Sequence, residues 1–546
     1  MEIVKHLNYY LLSGLAISLS SCTQVDSKSP ENKPNIVFIL VDDLGWSDVG
    51  TYGSSLYDTP NIDKLASEGV KFTQAYATCS VCSPTRASII TGKYPARIHL
   101  TDWLPGRRDF PFQKLKNPDI NQHLPYELTT LPEILKENGY STAIFGKWHL
   151  GEDSASTARQ GFDIHLPDYN KGWPANGYFS PYQMKGLEGG PDGEYLTDRL
   201  TDEALKYVED NKELPFFLYM SYFAVHDPIM GPPELVDKYE DKLSEQPAKE
   251  GPDFILEGNP DDPDPLSREK LDELIEEEAY EPFRLLPRRT VKVKQKQDNA
   301  EFAAMVERVD ANVGRIEAKL KALGIEENTI IIFFSDNGGM SAANFGNPKR
   351  KIPDTKKALN KAFSTSNLPL RGAKGWFYEG GIREPLIIKW PGKGLQNKIS
   401  DVPIISVDFY PTIMEMTGIS YNSKELILDG KSLVPMVTGD EPGEKRALYW
   451  HFPHYSNHGQ QSPCGVIRYG DYKLIEYYEN FNVQLFNLSD DPAEQNDLAE
   501  VEPEKADELR EMLHEWRKDV DAQMMEPNPE YDPSVSWLDY ALSDED

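Results

Sequence analysis

One pattern constrains this chain more than any other: a continuous apolar, β-branched run that breaks off on ionisable residues, and it recurs. Residues 35–41, Asn-Ile-Val-Phe-Ile-Leu-Val, lead straight into Asp42 and Asp43. Residues 141–145 lead through Gly146 to Lys147 and His149. Residues 215–224 lead to His226, and residues 328–334 lead through Ser335 to Asp336 and Asn337. A run without polar alternation marks a strand buried on both faces, as in a parallel sheet covered by helices. In open α/β sheets, ligands gather beyond the carboxyl ends of the strands. The runs therefore predict one sheet that delivers Asp42, Asp43, Lys147, His149, His226, Asp336 and Asn337 to one edge. Two adjacent carboxylates closing a buried strand are costly without a cation, so a hard metal is the economical reading of Asp42 and Asp43. A helix cap would explain one of these carboxylates but not both.

Helices are predicted over 128–138, stopped by Gly139, and over 407–417, closed by Gly418. The clearest is 298–323, where Phe302, Met305, Val306, Val309, Val313, Ile316, Leu320 and Leu323 share one face and Gly324 ends the helix. A further strand starts at residues 386–389. After about residue 428 the character changes to short strands at 447–452, 465–469, 471–477 and 483–488, then an amphipathic helix over 504–520. The expected fold is α/β: a large central mixed, mostly parallel sheet flanked by helices, plus a small C-terminal antiparallel sheet with a closing helix. The division expected is 34–427 for the large domain and 428–546 for the C-terminal subdomain. Residues 231–297 are acidic, Pro-rich and poor in periodicity, and read as an insertion or flap. Their basic patch, Arg288, Arg289, Lys292, Lys294 and Lys296, reads first as a solvated face, with a polyanion as its possible partner.

The net charge of −32 excludes nucleic acid as a natural partner. A site for an anionic substrate must then be locally basic against an acidic background. The loop bearing Lys349, Arg350, Lys351, Lys356, Lys357 and Lys361 offers such a character, whereas residues 543–546 read as a solvated acidic tail. At the N-terminus, Lys5 and an apolar run over 9–19 precede Leu19-Ser20-Ser21-Cys22, which fits a bacterial lipoprotein cleavage box. The run is short for a bilayer span. The expectation is a signal peptide over 1–21, a lipidated Cys22, and a polar tether over 22–33. Thr23 is not an inner-membrane retention Asp, so the outer membrane of a Gram-negative cell envelope is the expected destination.

Residues 78–92, Thr-Cys-Ser-Val-Cys-Ser-Pro-Thr-Arg-Ala-Ser-Ile-Ile-Thr-Gly, read as a helix start. Ser83 suits the N-cap, Pro84 the first helical position and Gly92 the stop. Cys82 then lies just off an anion-friendly helix N-terminus, with Arg86 one turn away. Cys82-Ser83-Pro84-Thr85-Arg86 followed by Ala-Ser-Ile-Ile-Thr-Gly resembles the signature of the formylglycine-dependent sulfatases, within the alkaline phosphatase superfamily. That motif tolerates Ser, Thr or Ala where Thr85 stands. The segments Gly146-Lys147-Trp148-His149-Leu150-Gly151, Leu370 to Gly375 and Tyr378 to Pro385 resemble further blocks of the same family, in order.

The resemblance implies hydrolysis of sulfate esters. It implies that Cys82 is oxidised by a formylglycine-generating enzyme to formylglycine (3-oxoalanine), whose hydrate is the nucleophile. It implies that Asp42, Asp43, Asp336, Asn337 and residue 82 hold one divalent cation. Such an oxygen set favours calcium and accommodates magnesium. Lys147 and Lys374 would bind the sulfate, Arg86 would hold the hydrate, His226 would be the acid and His149 the base. His451 and His454 are expected at the pocket rim as substrate contacts. A sulfated glycan is the expected substrate. Cys79 and Cys464 remain after Cys22 and Cys82 are assigned, and their pairing is open. A phosphoryl or phosphonate hydrolase of the superfamily would instead carry Ser or Thr at position 82 and a second metal set. A non-catalytic glycan-binding lipoprotein would show losses among the cysteine, histidines or metal ligands, and none is missing.

Overall fold

In the computed structural model, which describes residues 33–151, 156–247, 250–262, 264–280, 286–344, 355–440, 445–459, 461–536 and 539–540, the apolar runs are neighbouring strands of one sheet. Cys22 with its flanking signal and tether, Lys349, Arg350, Lys351 and the acidic tail at 543–546 lie outside the described residues.

The strands of this sheet are β1 (Asn35–Val41), β2 (Val70–Tyr76), β3 (Ser141–Gly146), β4 (Ile164–Leu166), β5 (Phe216–Ser221), β6 (Thr329–Ser335), β7 (Arg383–Lys389), β8 (Lys398–Ser400) and β9 (Ile404–Ile405). Their order is β8-β2-β7-β6-β1-β5-β3-β4, with β9 also on β2. β1, flanked in parallel by β5 and β6, is buried throughout. β7 runs antiparallel to both of its neighbours, β2 and β6. The sheet is therefore mixed and mostly parallel, as the unbroken apolar runs require.

Helices cover both faces: α1 (Pro60–Ser67), α2 (Cys82–Thr91), α3 (Leu131–Glu137), α4 (Leu196–Asp210), α5 (Ala300–Ala322) and α6 (Phe409–Met416). The alternation of β1 sorts them. Val37, Ile39 and Val41 pack with α1, α4 and α5, while Ile36, Phe38 and Leu40 pack with α2, α3 and α6. α3 starts on a full capping box between Thr130 and Glu133. The expected helix boundaries hold to within a few residues. α1, α4 and β2 carry no prediction from the sequence.

The segment 231–297 is more ordered than its composition suggests. It opens with a helix, Pro233–Glu245, whose Tyr239 is fully buried in the core shared with α5. It closes with a two-stranded ribbon of Phe254–Glu257 against Val291–Lys294. Its basic patch is not a solvated face. Arg288 pairs with Asp262, Arg289 with Glu479, Lys296 with Asp253, and Lys292 and Lys294 are buried.

The C-terminal sheet runs β10 (Ala447–Phe452), β11 (Cys464–Tyr469), β12 (Tyr472–Tyr477) and β13 (Val483–Asn487), antiparallel in sequence order, with α7 (Pro503–Asp519) against it. Cys79 and Cys464 are free thiols in the apolar cluster between the two sheets. A buried ion cluster ties the sheets together: Lys473 Nζ lies 3.0 Å from Glu379 and 2.9 Å from Glu494, all three fully buried. Glu379 also accepts a hydrogen bond from Tyr76 of β2 at 2.7 Å. Removing one member leaves uncompensated buried charge, at a cost of about 3–5 kcal/mol. Lys473→Met is therefore expected to lower the unfolding free energy in urea by about that amount. Adding Glu379→Gln and Glu494→Gln to it should recover most of the loss.

Candidate functional site

The carboxyl ends of β1, β3, β5 and β6 open on one edge, as the sequence predicts. Because β7 runs against them, it is the residues before its first strand position that reach the same edge, and Lys374 arrives there this way. Gly146 makes the closest approach. Its φ is +114°, and a Cβ on it would sit 1.8 Å from the Ser221 carbonyl, so glycine lets β3 end against β5. The Lys147 amide then donates to Ser221 O at 2.7 Å.

Cys82 is the first residue of α2, and every residue of that helix is buried. Two details of the expected cap are corrected. Val81, in an extended conformation, precedes the first turn without a side-chain cap, and Pro84 falls third in the helix. Ser83 is not the cap because its hydroxyl is committed elsewhere: it donates to His149 O at 2.9 Å and accepts from Leu104 N at 3.1 Å. Gly92 does end the helix, in the left-handed region.

Around Cys82, three buried carboxylates meet three buried cations. Lys147 Nζ lies 2.6 Å from Asp42, Lys374 Nζ lies 2.7 Å from Asp43, and Arg86 lies 2.7 Å from Asp336. Cys82 Sγ is 3.5 Å from Asp42 Oδ1. Arg86 also donates to Lys147 O at 3.0 Å and Ser221 Oγ at 2.7 Å, so its guanidinium locks three strand ends together. Asp43 adopts φ 62°, a strained value for a residue without a glycine's freedom. Asn337 donates to Asp43 Oδ1 at 2.8 Å, which leaves its own Oδ1 buried without a partner.

The residues present can hold a cation. Ligand atoms of Asp42, Asp43, Cys82 and His226 lie within 4.8 Å of one another, and the orphaned Asn337 oxygen adds a further donor. Crowding shows in the titration. Burial and the neighbouring Asp42 push the Asp336 carboxyl up to about 6, despite Arg86. Burial acts the same way on Asp43, but Lys374, His226 and Lys147 outweigh it and hold that group well below the usual carboxylate range. Ions in such a dry site interact strongly, so a cation held here would be bound by its charge and its oxygens together.

The two histidines differ. His149 sits at φ 58°, and its Nε2 lies 2.9 Å from Leu104 O. A carbonyl only accepts, so Nε2 carries the proton and Nδ1 presents a lone pair, buried and unpartnered. Burial, with Lys147 adding to it, holds the pKa of His149 well below the ordinary value. His226 is the opposite. Burial and Lys374 disfavour its charge, yet Asp43, Asp227 and Asp42 prevail and keep it protonated. Its Nδ1 lies 2.9 Å from Asp227 and its Nε2 3.7 Å from Asp43.

The sulfatase family model matches residues 34–419. The chain is a type I sulfatase. A second model, for the C-terminal region of N-sulphoglucosamine sulphohydrolase, matches residues 372–523. A sulfatase of Formosa agariphila is 31% identical, over 92% of this chain and 90% of that one. The N-acetylglucosamine-6-O-sulfatase of Bacteroides thetaiotaomicron is 27% identical, over 93% and 90%. Among solved structures, Ps i-CgsB in complex with k-i-k-neocarrahexaose superposes with a TM-score of 0.65 at 26% identity, covering 89% of this chain and 92% of that one. The enzyme is accordingly a sulfuric ester hydrolase.

Within this sulfatase, the two C-terminal histidines predicted at the pocket rim are used internally. His451 has both ring nitrogens engaged, at 2.7 Å from Tyr478 OH and 2.7 Å from Gln523 O, which leaves none for a substrate. His454 is 2% exposed with Nε2 on Thr101 at 2.8 Å. The residue that reaches the pocket from this loop is His458, which sequence reading passes over. Burial lowers its pKa to about 3, Lys374, Asp43, Asp227 and His226 all act on it, and its Nδ1 is buried and unpartnered. No strand or motif announces it. Asp227 was likewise legible only as the neighbour of His226. Gly172 is another hidden member: a Cβ there would meet the His149 ring at 2.7 Å. Gly172→Ala is therefore expected to displace the ring and lower kcat by about 10²-fold. Its thermal unfolding temperature should stay near that of the parent; a parental kcat would show that the ring position does not matter.

Proposed function

We propose that this sulfatase hydrolyses sulfate esters of a sulfated glycan, using formylglycine formed from Cys82 and one divalent cation. The observation that carries the reading is the pairing of Asp42, Asp43 and Asp336 with Lys147, Lys374 and Arg86 around Cys82. Asp42, Asp43, Asp336, Asn337 and residue 82 would hold the cation, with calcium favoured by the oxygen donors and magnesium accommodated. When bound, the cation would supply Lewis acidity toward sulfate oxygens, and a formylglycine hydrate at position 82 would supply the attacking oxygen.

The side chains do the rest. Lys147 and Lys374 neutralise the sulfate oxygens, a type of contact commonly worth roughly 10²–10³ in rate. His226, charged and steered through Nδ1 by Asp227, donates its Nε2 proton to the departing alcohol oxygen. His149, with its tautomer fixed by Leu104 O, holds a free lone pair on Nδ1 and would accept the proton of a hydrate formed at position 82. Arg86 acts on residue 82 through Asp336 and the strand ends it locks.

A glycan substrate is supported by the relatives. The Bacteroides thetaiotaomicron relative is an N-acetylglucosamine-6-O-sulfatase, and the structural neighbour holds a neocarrahexaose. Lipidation at Cys22 would place the enzyme on the outer membrane, and no helix among the described residues is long and apolar enough to cross a membrane itself.

Peptide mapping of residue 82 in protein from its native host, with sulfate release measured on a panel of sulfated saccharides, tests the proposal. Aldehyde or hydrate at position 82 with sulfate released is the expected result. An unmodified thiol and no release would overturn it. Chelator treatment of the active enzyme is expected to lower turnover by at least about 10²-fold, with calcium restoring it.

A further inference from the structure

One short segment leans on both catalytic histidines. At its start Gly172 lies against the His149 ring, where a Cβ would stand 2.7 Å from Cε1 and 3.1 Å from each ring nitrogen. At its end the Tyr178 hydroxyl lies 2.9 Å from His226 O and 2.7 Å from Phe223 O. Just before it, a Cβ on Gly177 would stand 2.7 Å from Met230 Sδ and 3.8 Å from Pro228 Cγ, and the glycine takes φ +77°. Residues 172–178 therefore form an arch from one histidine to the other. Its footings are buried: Gly172, Pro174, Gly177 and Tyr178. Trp173, Ala175 and Asn176 are exposed between them.

Trp173 stands out on this arch. It is 46% exposed, whereas every other tryptophan among the described residues is buried or half-buried. Among those residues no ring packs on it and no acceptor takes its indole N–H. A single exposed apolar side chain is ordinary in itself. This one is distinguished by its place and by how firmly it is held. It follows directly on the residue that touches His149, about 3.8 Å along the backbone. Gly172 and Pro174 are buried on either side, Pro174 restricts Trp173 to extended backbone, and Gly177 N closes a turn on Pro174 O at 3.3 Å. An indole with an open face and a free N–H suits a sugar ring, whose C–H face covers the apolar surface while a hydroxyl accepts the N–H. We propose that Trp173 is the platform on which the sugar bearing the scissile sulfate stacks, and so the residue that selects a ring as the leaving alcohol. The leaving oxygen is served by His226 at the far foot of the arch, so its ring lies along the arch toward Trp173. The proposal rests on the glycan sulfatase reading and extends it from the sulfate to the sugar.

Kinetics on the best-cleaved saccharide of the panel test it. Trp173→Ala is expected to raise KM at least about tenfold with kcat within about threefold, because stacking that is equal in the ground and transition states shows in KM alone. Trp173→Phe, which keeps a smaller ring, should hold KM within about threefold of the parent. A parental KM in Trp173→Ala overturns the platform. So does a loss confined to kcat, which is what an arch that only props the histidines would give, or an equal loss in the alanine and phenylalanine variants. If none of the saccharides is desulfated, the functional reading fails by itself, and the platform is judged by calorimetry on full-length Cys82→Ala. There the same saccharides should bind at least about tenfold more weakly once Trp173→Ala is added. Equal binding, or none in either protein, overturns it.

Discussion

Everything at the active edge depends on a set of buried ion pairs that could not exist singly. Asp42, Asp43 and Asp336 lie in the dry end of the sheet, each against a buried cation. A charge in such a place is expensive unless it is paired and hydrogen-bonded. The pairing here is distributed over β1, β3, β6, α2 and the approach to β7. No strand end can therefore shift without leaving a partner uncompensated. Arg86 is the hub, since it binds the side chain after β6 and the backbone after β3 and reaches the last residue of β5 at once.

The geometry of the sheet explains why this set has both signs. Parallel strands deliver the carboxylates after β1 and β6 and the Lys147–His149 pair after β3. The reversal of β7 delivers a second lysine from the opposite chain direction. A wholly parallel sheet would have brought that segment to the far edge. The mixed topology is thus part of how the site gathers cations beside carboxylates.

Much of this was legible in the sequence, and the reason is physical. Strands buried on both faces leave an unmistakable record, so β1, β3, β5 and β6 and the ionisable residues after them could be read directly. β2 could not, because Lys71, Thr73 and Gln74 interrupt its apolar residues and it is buried less evenly. The helix Pro233–Glu245 hid behind its acidic face. The cap of α2 was misread because Ser83 is a good capping residue in isolation, and nothing local shows that His149 and Leu104 claim its hydroxyl. His451 and His454 were misread for the same kind of reason: their partners are Tyr478, Gln523 and Thr101, which only the folded chain brings together. His458 and Gly172 owe their positions to contacts between distant segments and leave no periodic trace.

The clamp formed by Lys473, Glu379 and Glu494 bears on the order of events in the life of the chain. Glu379 follows Lys374 by five residues, on the short connection that feeds β7, and its partners come from the last quarter of the chain. A ribosome releases Cys82 long before it releases Lys473 or Glu494. Once all are in place, Cys82 is only 3% exposed. The order of the chain thus delivers position 82 and the strand ends around it well before the residues that tie the two sheets together.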